Sequence, residues 1–332
     1  MAIDIGRREF ISLLGGTAAA AWPLAARAQQ QPMPVVGFIN AASPKSYARQ
    51  LAAFLKGLSD ARYDDGRNVV IEYVWADGRN DLLPTMAADL VHSKVAVIAA
   101  TSTPAALAAK AATTTIPIVF ETGSDPIQIG LVSSLNRPGG NVTGVAQTNV
   151  EITPKRLELL HVLLPNASVI ALLVNPTNPV QAEIESREVL AAAHTLGLEL
   201  HVMNASAERD FDAVFAKLTQ LRMDGLVIGG DPFFTSRIEQ LAALSVRHAV
   251  PTIYQWREFA VAGGLLSYGS DITETYRMTG NYIGRILKGE KPADLPVQQA
   301  NKVELYINMK TAKALGISFP LSLLGRADQV IE

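Results

Sequence analysis

The feature that most constrains the fold is an alternation of short apolar runs with longer segments of helical spacing. The first apolar run is Val35–Ile39, and the segment 47–59 that follows it places Leu51, Phe54 and Leu58 on one helical face. The same pattern continues along the chain. Near-continuous apolar strands that alternate with helices are typical of parallel sheets covered on both faces. The pattern therefore predicts an α/β fold.

This strand–helix pattern runs through two series of similar size. The turn signal Pro138–Asn141 separates them, and a tail with a predicted helix at 272–288 follows the second series. The spacing also predicts helices at 126–135 and 235–248. We expect the tail to cross back between two lobes and to contribute crossovers to a hinge. Lobe 1 is then expected to contain residues 34–148 and about 272–298, and lobe 2 residues 149–271 and about 299–332.

The N-terminal segment has the pattern of an export signal. Arg7 and Arg8 form a twin-arginine pair, an apolar run from Ile11 to Ala21 follows, and small residues precede the expected cleavage after Ala28. The alternative, a membrane anchor, needs about 20 continuous apolar residues, and this run is shorter. We therefore expect residues 1–28 to be a twin-arginine signal peptide that is removed. The mature protein is then expected to be soluble and periplasmic.

Composition excludes several classes of chemistry. The formal net charge is −2, so no basic excess is available for nucleic acid. Cysteine is absent, which excludes disulfides, thiolate metal sites, cysteine nucleophiles and an N-terminal lipid anchor. The five histidines lie in separate predicted elements, and no phosphate-binding or dinucleotide motif is present. We therefore expect no cofactor, no metal and no nucleic-acid partner.

Polar side chains follow the predicted strands, at the edge where ligands bind in open α/β sheets. In the first series they are Ser43, Ser102, Thr103, Thr122, Ser124 and Asp125. Hydroxyls and free N–H groups at helix N-termini suit a carboxylate or another anionic oxygen. Each of these residues has an alternative role as a helix cap. Asp125 is a particularly good candidate for that role, because it precedes a proline.

The strand ends of the second series have a different chemistry. They contribute Asn175, Asp231, Phe233, Tyr254 and Glu258. The carboxylates suit an ammonium group, and the aromatic rings suit an apolar body. A zwitterion with an apolar side chain would match both series. Alternatives remain, since Asp231 also fits a helix cap and Arg257 is a possible partner for Glu258.

Several short motifs, in their order along the chain, resemble the ABC transporter substrate-binding proteins related to tryptophan and tyrosine binders. They are Arg7–Ile11 with Ala25–Ala28, Val35–Phe38, Asp125–Pro126 with Gly130–Val132, Asn141–Gly144, Arg257–Phe259 with Ala262–Leu265, Ser267–Gly269, and Lys313–Gly316 with Pro320. The resemblance implies a type I periplasmic-binding-protein fold, with two Rossmann-like lobes and three hinge strands. By analogy with amino-acid binders of that fold, Ser102–Thr103 and Thr122–Ser124 would bind a carboxylate. Glu258 or Asp231 would bind the amine.

These observations together predict a non-catalytic, monomeric receptor. It would capture a small molecule, an amino acid or another aromatic or carboxylate compound, and deliver it to an ABC permease. One alternative is an exported hydrolase or transferase that uses the carboxylates of Asp231 and Glu258. Another is a sensory protein that reports its ligand to a membrane receptor.

Overall fold

The computed structural model describes residues 33–147, 149–300 and 302–332. The predicted signal peptide, residues 1–28, lies outside these described residues. Pro34–Glu332 forms one compact unit in which strands and helices alternate. Within the described part of the chain, no helix combines the length and the apolar character needed to cross a bilayer.

Six strands form sheet 1. They are β1 (Val35–Asn40), β2 (Val70–Trp75), β3 (Val97–Ala100), β4 (Ile118–Thr122), β5 (Val142–Gln147) and β11 (Gln298–Ala300). Their order across the sheet is β11-β5-β4-β3-β1-β2, and all neighbouring pairs are parallel. The carboxyl ends of these strands therefore all lie at one edge of the sheet, as the alternating pattern predicts.

Seven strands form sheet 2. They are β6 (Val169–Val174), β7 (Glu199–Asn204), β8 (Gly225–Ile228), β9 (Thr252–Tyr254), β10 (Leu266–Ser270), β12 (Val303–Asn308) and β13 (Gln329–Ile331). Their order is β13-β12-β10-β9-β8-β6-β7. The pair β10–β12 is antiparallel, and the other neighbouring pairs are parallel. The expectation of two mostly parallel sheets is confirmed.

Helices connect the strands and cover the sheets. They are α1 (Ala48–Asp60), α2 (Leu83–His92), α3 (Thr103–Ala112), α4 (Thr153–Leu163), α5 (Pro179–Leu196), α6 (Asp210–Gln220), α7 (Pro232–Thr235), α8 (Ile238–Arg247), α9 (Arg257–Val261), α10 (Ile272–Leu287), α11 (Met309–Ala314) and α12 (Leu321–Leu324), with 3₁₀ turns at Asn80–Leu82 and Pro292–Asp294. We call sheet 1 with its helices lobe 1, and sheet 2 with its helices lobe 2.

Two predicted helices are wrong in detail. The segment 126–135 is a turn without a helix, because Gly130 takes a φ of 73° that stops helical continuation. The segment 235–248 is divided into α7 and α8, because the helical run that Asp231 caps ends at Ser236 and a second one begins after Arg237. Both errors come from short segments in which local turn geometry overrides apolar spacing.

The chain passes between the two sheets three times. The passages lie between β5 and α4, between β10 and α10, and between β11 and β12. Because β11 pairs with β5, the chain stays with sheet 1 through Ala300, slightly later than predicted. The crossings that the long tail predicts are therefore present. The residue boundaries of the lobes stay a prediction, because their contacts join them in one compact unit.

Apolar packing connects the lobes as well as filling them. Separate clusters fill one face of sheet 1 and one face of sheet 2. A third cluster is continuous between the lobes, and it includes Phe38 and Tyr47 of lobe 1 together with Phe211, Phe233 and Trp256 of lobe 2. The lobes therefore share buried apolar surface in this structure.

The crossover helix α10 packs tightly on α1 of lobe 1. A Cβ at Gly280 would lie 2.1 Å from the carbonyl oxygen of Phe54. A Cβ at Gly57, on the facing side, would lie 1.8 Å from the carbonyl oxygen of Arg277. Both separations are far below van der Waals contact, so the two backbones approach this closely only because both positions are glycine.

We expect Gly280→Ala to lower the free energy of unfolding by about 1–3 kcal/mol, the usual cost of overpacking a core. At an open helical position a Gly→Ala change raises the free energy of unfolding by about 1 kcal/mol. The clash at Gly280 is therefore expected to reverse the sign of the change in stability. Urea denaturation of the purified chain measures the effect. Gly325→Ala, at an exposed helix end, is the control and should shift stability by less than about 0.5 kcal/mol. Equal stability of both variants would contradict the close approach.

Candidate functional site

A cavity lies between the lobes, where the carboxyl ends of strands from both sheets meet. Its lining residues are Tyr47, Thr101, Ser102, Thr103, Glu121, Gly123, Gln147, Asn149, Val150 and Ile272 from the lobe 1 strand ends and the crossings, and Gln181, Gly230, Asp231, Pro232, Thr235, Gln255 and Trp256 from lobe 2. The two carboxylates are buried, with Glu121 3% and Asp231 4% exposed. This is the edge at which sequence reasoning places the ligand.

On the lobe 1 side, the loop after β3 leads into the N-terminus of α3. Ser102 is extended and precedes the helix, and its Oγ accepts from the N–H of Ala41 at 3.3 Å. Thr103 opens the helix and shares a 2.8 Å hydrogen bond with Thr122. The first turn of α3 has N–H groups without an intrahelical acceptor. Ser102 and Thr103 line the cavity, whereas Thr122 supports Thr103 from behind.

The remaining predicted residues of lobe 1 lie away from the cavity lining. Asp125 accepts from the N–H groups of Ile127 and Gln128, at 2.7 and 3.3 Å, and so caps the turn that follows it. The hydroxyl of Ser124 is buried without a hydrogen-bond partner among the described residues. Ser43 is hydrogen-bonded to Ser46 at 2.9 Å and lines a separate, outer groove.

On the lobe 2 side, Asp231 caps α7 and reaches the cavity at the same time. Its Oδ1 accepts from the N–H of Phe233 and from the amide of Asn175, both at 2.9 Å. Its Oδ2 accepts from the amide of Asn178 at 3.0 Å. Burial raises the pKa of Asp231, and these neutral donors oppose that rise only in part. Asn175 therefore positions Asp231 and is not itself part of the lining.

The predicted aromatic residues lie behind the cavity wall. Phe233 stacks on Phe211 with ring centroids 5.3 Å apart, and it belongs to the apolar cluster that joins the lobes. The hydroxyl of Tyr254 is 3.0 Å from Thr235 Oγ1, which also accepts from Trp256 Nε1 at 2.9 Å. These bonds hold Thr235 and Trp256 in the lining, whereas Tyr254 supports them.

Glu258 lies outside the cavity, in the short helix α9. Its carboxylate is 34% exposed and pairs with Arg49 of lobe 1 at 3.0 Å. Arg257, the partner considered from the sequence, lies at 3.5 Å. Because the pair with Arg49 joins the lobes at an exposed position, it contributes little to stability. Glu258 and Asp231 are therefore not brought together.

Sequence reasoning missed most of the amide side chains and the second carboxylate of the cavity. Glu121, Gln147, Asn149, Gln181 and Gln255 all line it. Glu121 had a detectable signal, because it is a charged residue inside the apolar run of β4. Gln255 had one as well, because it directly follows β9. Asn149 and Gln181 had none, because they come from a crossing and from the first turn of α5, which only the fold brings together.

A buried hydrogen-bond network around Arg156 and Glu185, which Thr153 connects, supports the lobe 2 wall. Arg156 donates to the carbonyl oxygens of Asn149 and Tyr268, at 2.5 and 2.8 Å, and is completely buried. Burial lowers its pKa to about 10, which leaves it charged at neutral pH. Glu185 accepts from the N–H of Gly230 at 2.9 Å and lies near Arg156. This network fixes Gly230 next to Asp231 and connects α4 to the first crossing.

Comparison with known proteins places the chain in a family. The model of the ABC transporter substrate binding protein family matches residues 35–331. A curated tyrosine-binding protein of Clostridioides difficile (strain R20291) is 29% identical over 280 residues, which cover 84% of this chain and 80% of that protein. A structure from Streptococcus pneumonia in complex with L-Trp is 28% identical, with a TM-score of 0.80, and the alignment covers 90% of this chain and 99% of that one.

A third similar structure is ligand-free. The ligand-free, open structure of a substrate-binding protein with adhesive properties from Clostridium difficile is 25% identical over 90% of this chain and 99% of that one. Its TM-score is 0.61, lower than that of the L-Trp complex. In the structure of this chain the lobes share an apolar cluster, and both acids of the cavity are buried.

The fold and the comparisons agree. Two mostly parallel sheets, joined by three passages of the chain, form the type I periplasmic-binding-protein fold, and the cavity lies at the edge where such sheets bind ligands. The family model covers nearly all of the described chain. The chain belongs to the ABC transporter substrate-binding protein family.

Proposed function

We propose that this substrate-binding protein captures an aromatic amino acid, in its zwitterionic form, between the lobes and delivers it unchanged to an ABC permease. The composition of the cavity carries this proposal. A carboxylate, a hydroxyl-rich helix N-terminus and two aromatic rings line one enclosed space. An ammonium group, a carboxylate and a ring are the three parts of an aromatic amino acid.

In this proposal, the ligand's two charged groups bind to opposite lobes. The ammonium group binds Asp231, whose buried carboxylate has only neutral partners in the structure. The ligand carboxylate binds the start of α3, where the hydroxyls of Ser102 and Thr103 and the free N–H groups of the first turn converge. Charge-assisted hydrogen bonds of this kind are about twice as strong as neutral ones.

The ligand's side chain is proposed to pack between Tyr47 and Trp256. Both rings line the cavity, one from each lobe, and both are nearly buried. Apolar surface stabilises binding by about 25 cal/mol per Å² that is removed from water. The name of the Clostridioides difficile relative and the L-Trp bound to the Streptococcus structure support an aromatic ligand.

A ligand held from both sides favours a closed arrangement of the lobes, because it binds the open form through one lobe only.

One chain supplies the whole cavity, so we propose that the protein acts as a monomer. We also propose that residues 1–28 direct export to the periplasm. There the closed form would dock on its permease. An enzyme that uses Asp231 and Glu258 together is not favoured, because Glu258 lies outside the cavity.

We expect L-tryptophan, L-tyrosine or L-phenylalanine to bind the mature chain with a Kd in the micromolar range or below, and to raise its Tm accordingly. Isothermal titration calorimetry measures the affinity, and mass spectrometry of the released ligand tests whether it is unchanged. A sugar such as D-ribose is the matched negative control. Failure of all three amino acids to bind would contradict the proposal, and a converted ligand would favour the enzyme alternative.

We expect Asp231→Asn to weaken the binding of the best of these amino acids by more than tenfold. The amide keeps the shape and the cap of α7 but removes the negative charge that the ammonium group needs. Titration calorimetry gives the affinity and urea denaturation gives the stability. Asp212→Asn, at an exposed position, is the control and should leave both unchanged. Affinity within threefold of the original would exclude Asp231 from the site.

We expect Glu258→Gln to change the same affinity by less than threefold, because its carboxylate is engaged by Arg49 outside the cavity. The same titration shows whether Asp231 or Glu258 binds the amine of the ligand. A loss of tenfold or more at Glu258, with Asp231→Asn unaffected, would reverse the assignment.

A further inference from the structure

Glu121 is a buried carboxylate that the proposed function does not use. It lies near the end of β4, and its side chain lines the cavity. The amide of Gln147 donates to its Oε1, and the hydroxyl of Thr275 lies 3.5 Å from the same oxygen. Neither partner carries a charge. A buried carboxylate with only two neutral donors is costly to keep ionised.

The cavity contains two carboxylates and no positive side chain. Among the described residues that line it, none is Lys, Arg or His. No ion pair among the described residues involves Glu121 or Asp231. The nearby Arg156 is already bonded to two backbone carbonyl oxygens and lies near Glu185, outside the lining.

The two carboxylates line the same cavity and both act on Tyr47, although they come from different lobes. Burial raises the pKa of Tyr47, and the hydroxyl of Tyr254 and the carboxylates of Glu121 and Asp231 raise it further. The hydroxyl of Tyr47 is therefore close to both acids. The other titratable groups that face them are Tyr276 of α10, on the Glu121 side, and Tyr254 and Glu185, on the Asp231 side.

Glu121 is also linked by hydrogen bonds to two of the passages between the lobes. Gln147, which donates to it, accepts from the amide of Asn149 at 3.0 Å. Asn149 in turn accepts from the N–H of Ser270 at 2.9 Å. The first passage follows Gln147, the last residue of β5, and Ser270 ends the strand before the second. Glu121 is therefore connected by hydrogen bonds to groups that flank both passages.

We propose that Glu121 is a second ligand-binding carboxylate, which with Asp231 holds the positively charged nitrogen of the ligand from opposite lobes. The site then selects its ligand by positive charge first and by the ligand carboxylate second. Burial raises the pKa of Glu121 to about 7, so without a positive partner this carboxyl group is largely protonated at pH 6. The ligand ammonium favours the ionised form, so binding transfers the Glu121 proton to the buffer while the ligand keeps its own.

This inference rests on the proposed function and is tested with a series of ligands that differ in charge. L-tyrosine carries both charges, tyramine only the positive one and 3-(4-hydroxyphenyl)propionate only the negative one. We expect tyramine to bind at least tenfold more tightly than the propionate at pH 7. Tighter binding of the propionate would overturn the inference. The protein would then still be a receptor, but one that recognises an aromatic carboxylate. If none of the three binds, and L-tryptophan and L-phenylalanine also fail, the proposed function fails with it.

Proton release provides a readout that a merely structural role would not change. Titrations of L-tyrosine at pH 6 in buffers of different ionisation enthalpy should show proton release, and affinity should rise with pH up to about 7 and level off above it. Glu121→Gln should at least halve the release at pH 6 and weaken binding at pH 8 by tenfold or more. At pH 8 the Tm of the ligand-free variant should not fall, because the change removes a charge that is buried at this pH.

The control variant is Glu199→Gln, the same change at an exposed position on the edge strand β7, which should keep both affinity and proton release. Glu185, whose pKa burial also raises to about 7, does not line the cavity and is unchanged in both variants. L-tyrosine binding by Glu121→Gln with undiminished affinity and proton release would overturn the inference but not the proposed function. A lower Tm with unchanged release would assign Glu121 a structural role only.

Discussion

Two buried carboxylates without a positive partner determine what this cavity can hold. Glu121 and Asp231 come from different lobes, and both face a space lined by neutral groups. Burial disfavours the ionised form of each carboxylate. We propose that protons or a positively charged ligand compensate them, so that the closure of the lobes and the choice of ligand depend on the same electrostatic condition.

The rest of the fold positions the two walls of the cavity that carry these carboxylates. Parallel strands bring their carboxyl ends to one edge of each sheet, and the three passages allow those two edges to face each other. The close approach of α1 and α10, made possible by glycine, keeps the crossover helix on lobe 1. The Arg156–Glu185 network holds the facing wall in lobe 2. Both walls of the cavity are thus supported by packing within their own lobe.

Residues that cap helices also build the cavity. Asp231 caps α7 with one carboxylate oxygen and presents charge to the cavity, and Ser102 precedes α3 while it lines the same space. Capping and ligand binding are alternative roles for these residues in the sequence, yet the geometry at Asp231 permits both, whereas the hydroxyl of Ser102 makes no cap and is free to face the cavity. Asp125 is different, because its cap lies on a turn outside the cavity.

Apolar periodicity and local capping, which neighbouring residues specify, predict the alternation of strands and helices, the two mostly parallel sheets and the strand edge at which polar residues collect. Packing between distant segments pairs Glu258 with Arg49 outside the cavity and brings Glu121, Gln147 and Gln255 into its lining. These residues lie far apart in sequence, and their proximity depends on how three passages orient two sheets. Periodicity cannot encode that orientation, because it arises from packing between distant segments.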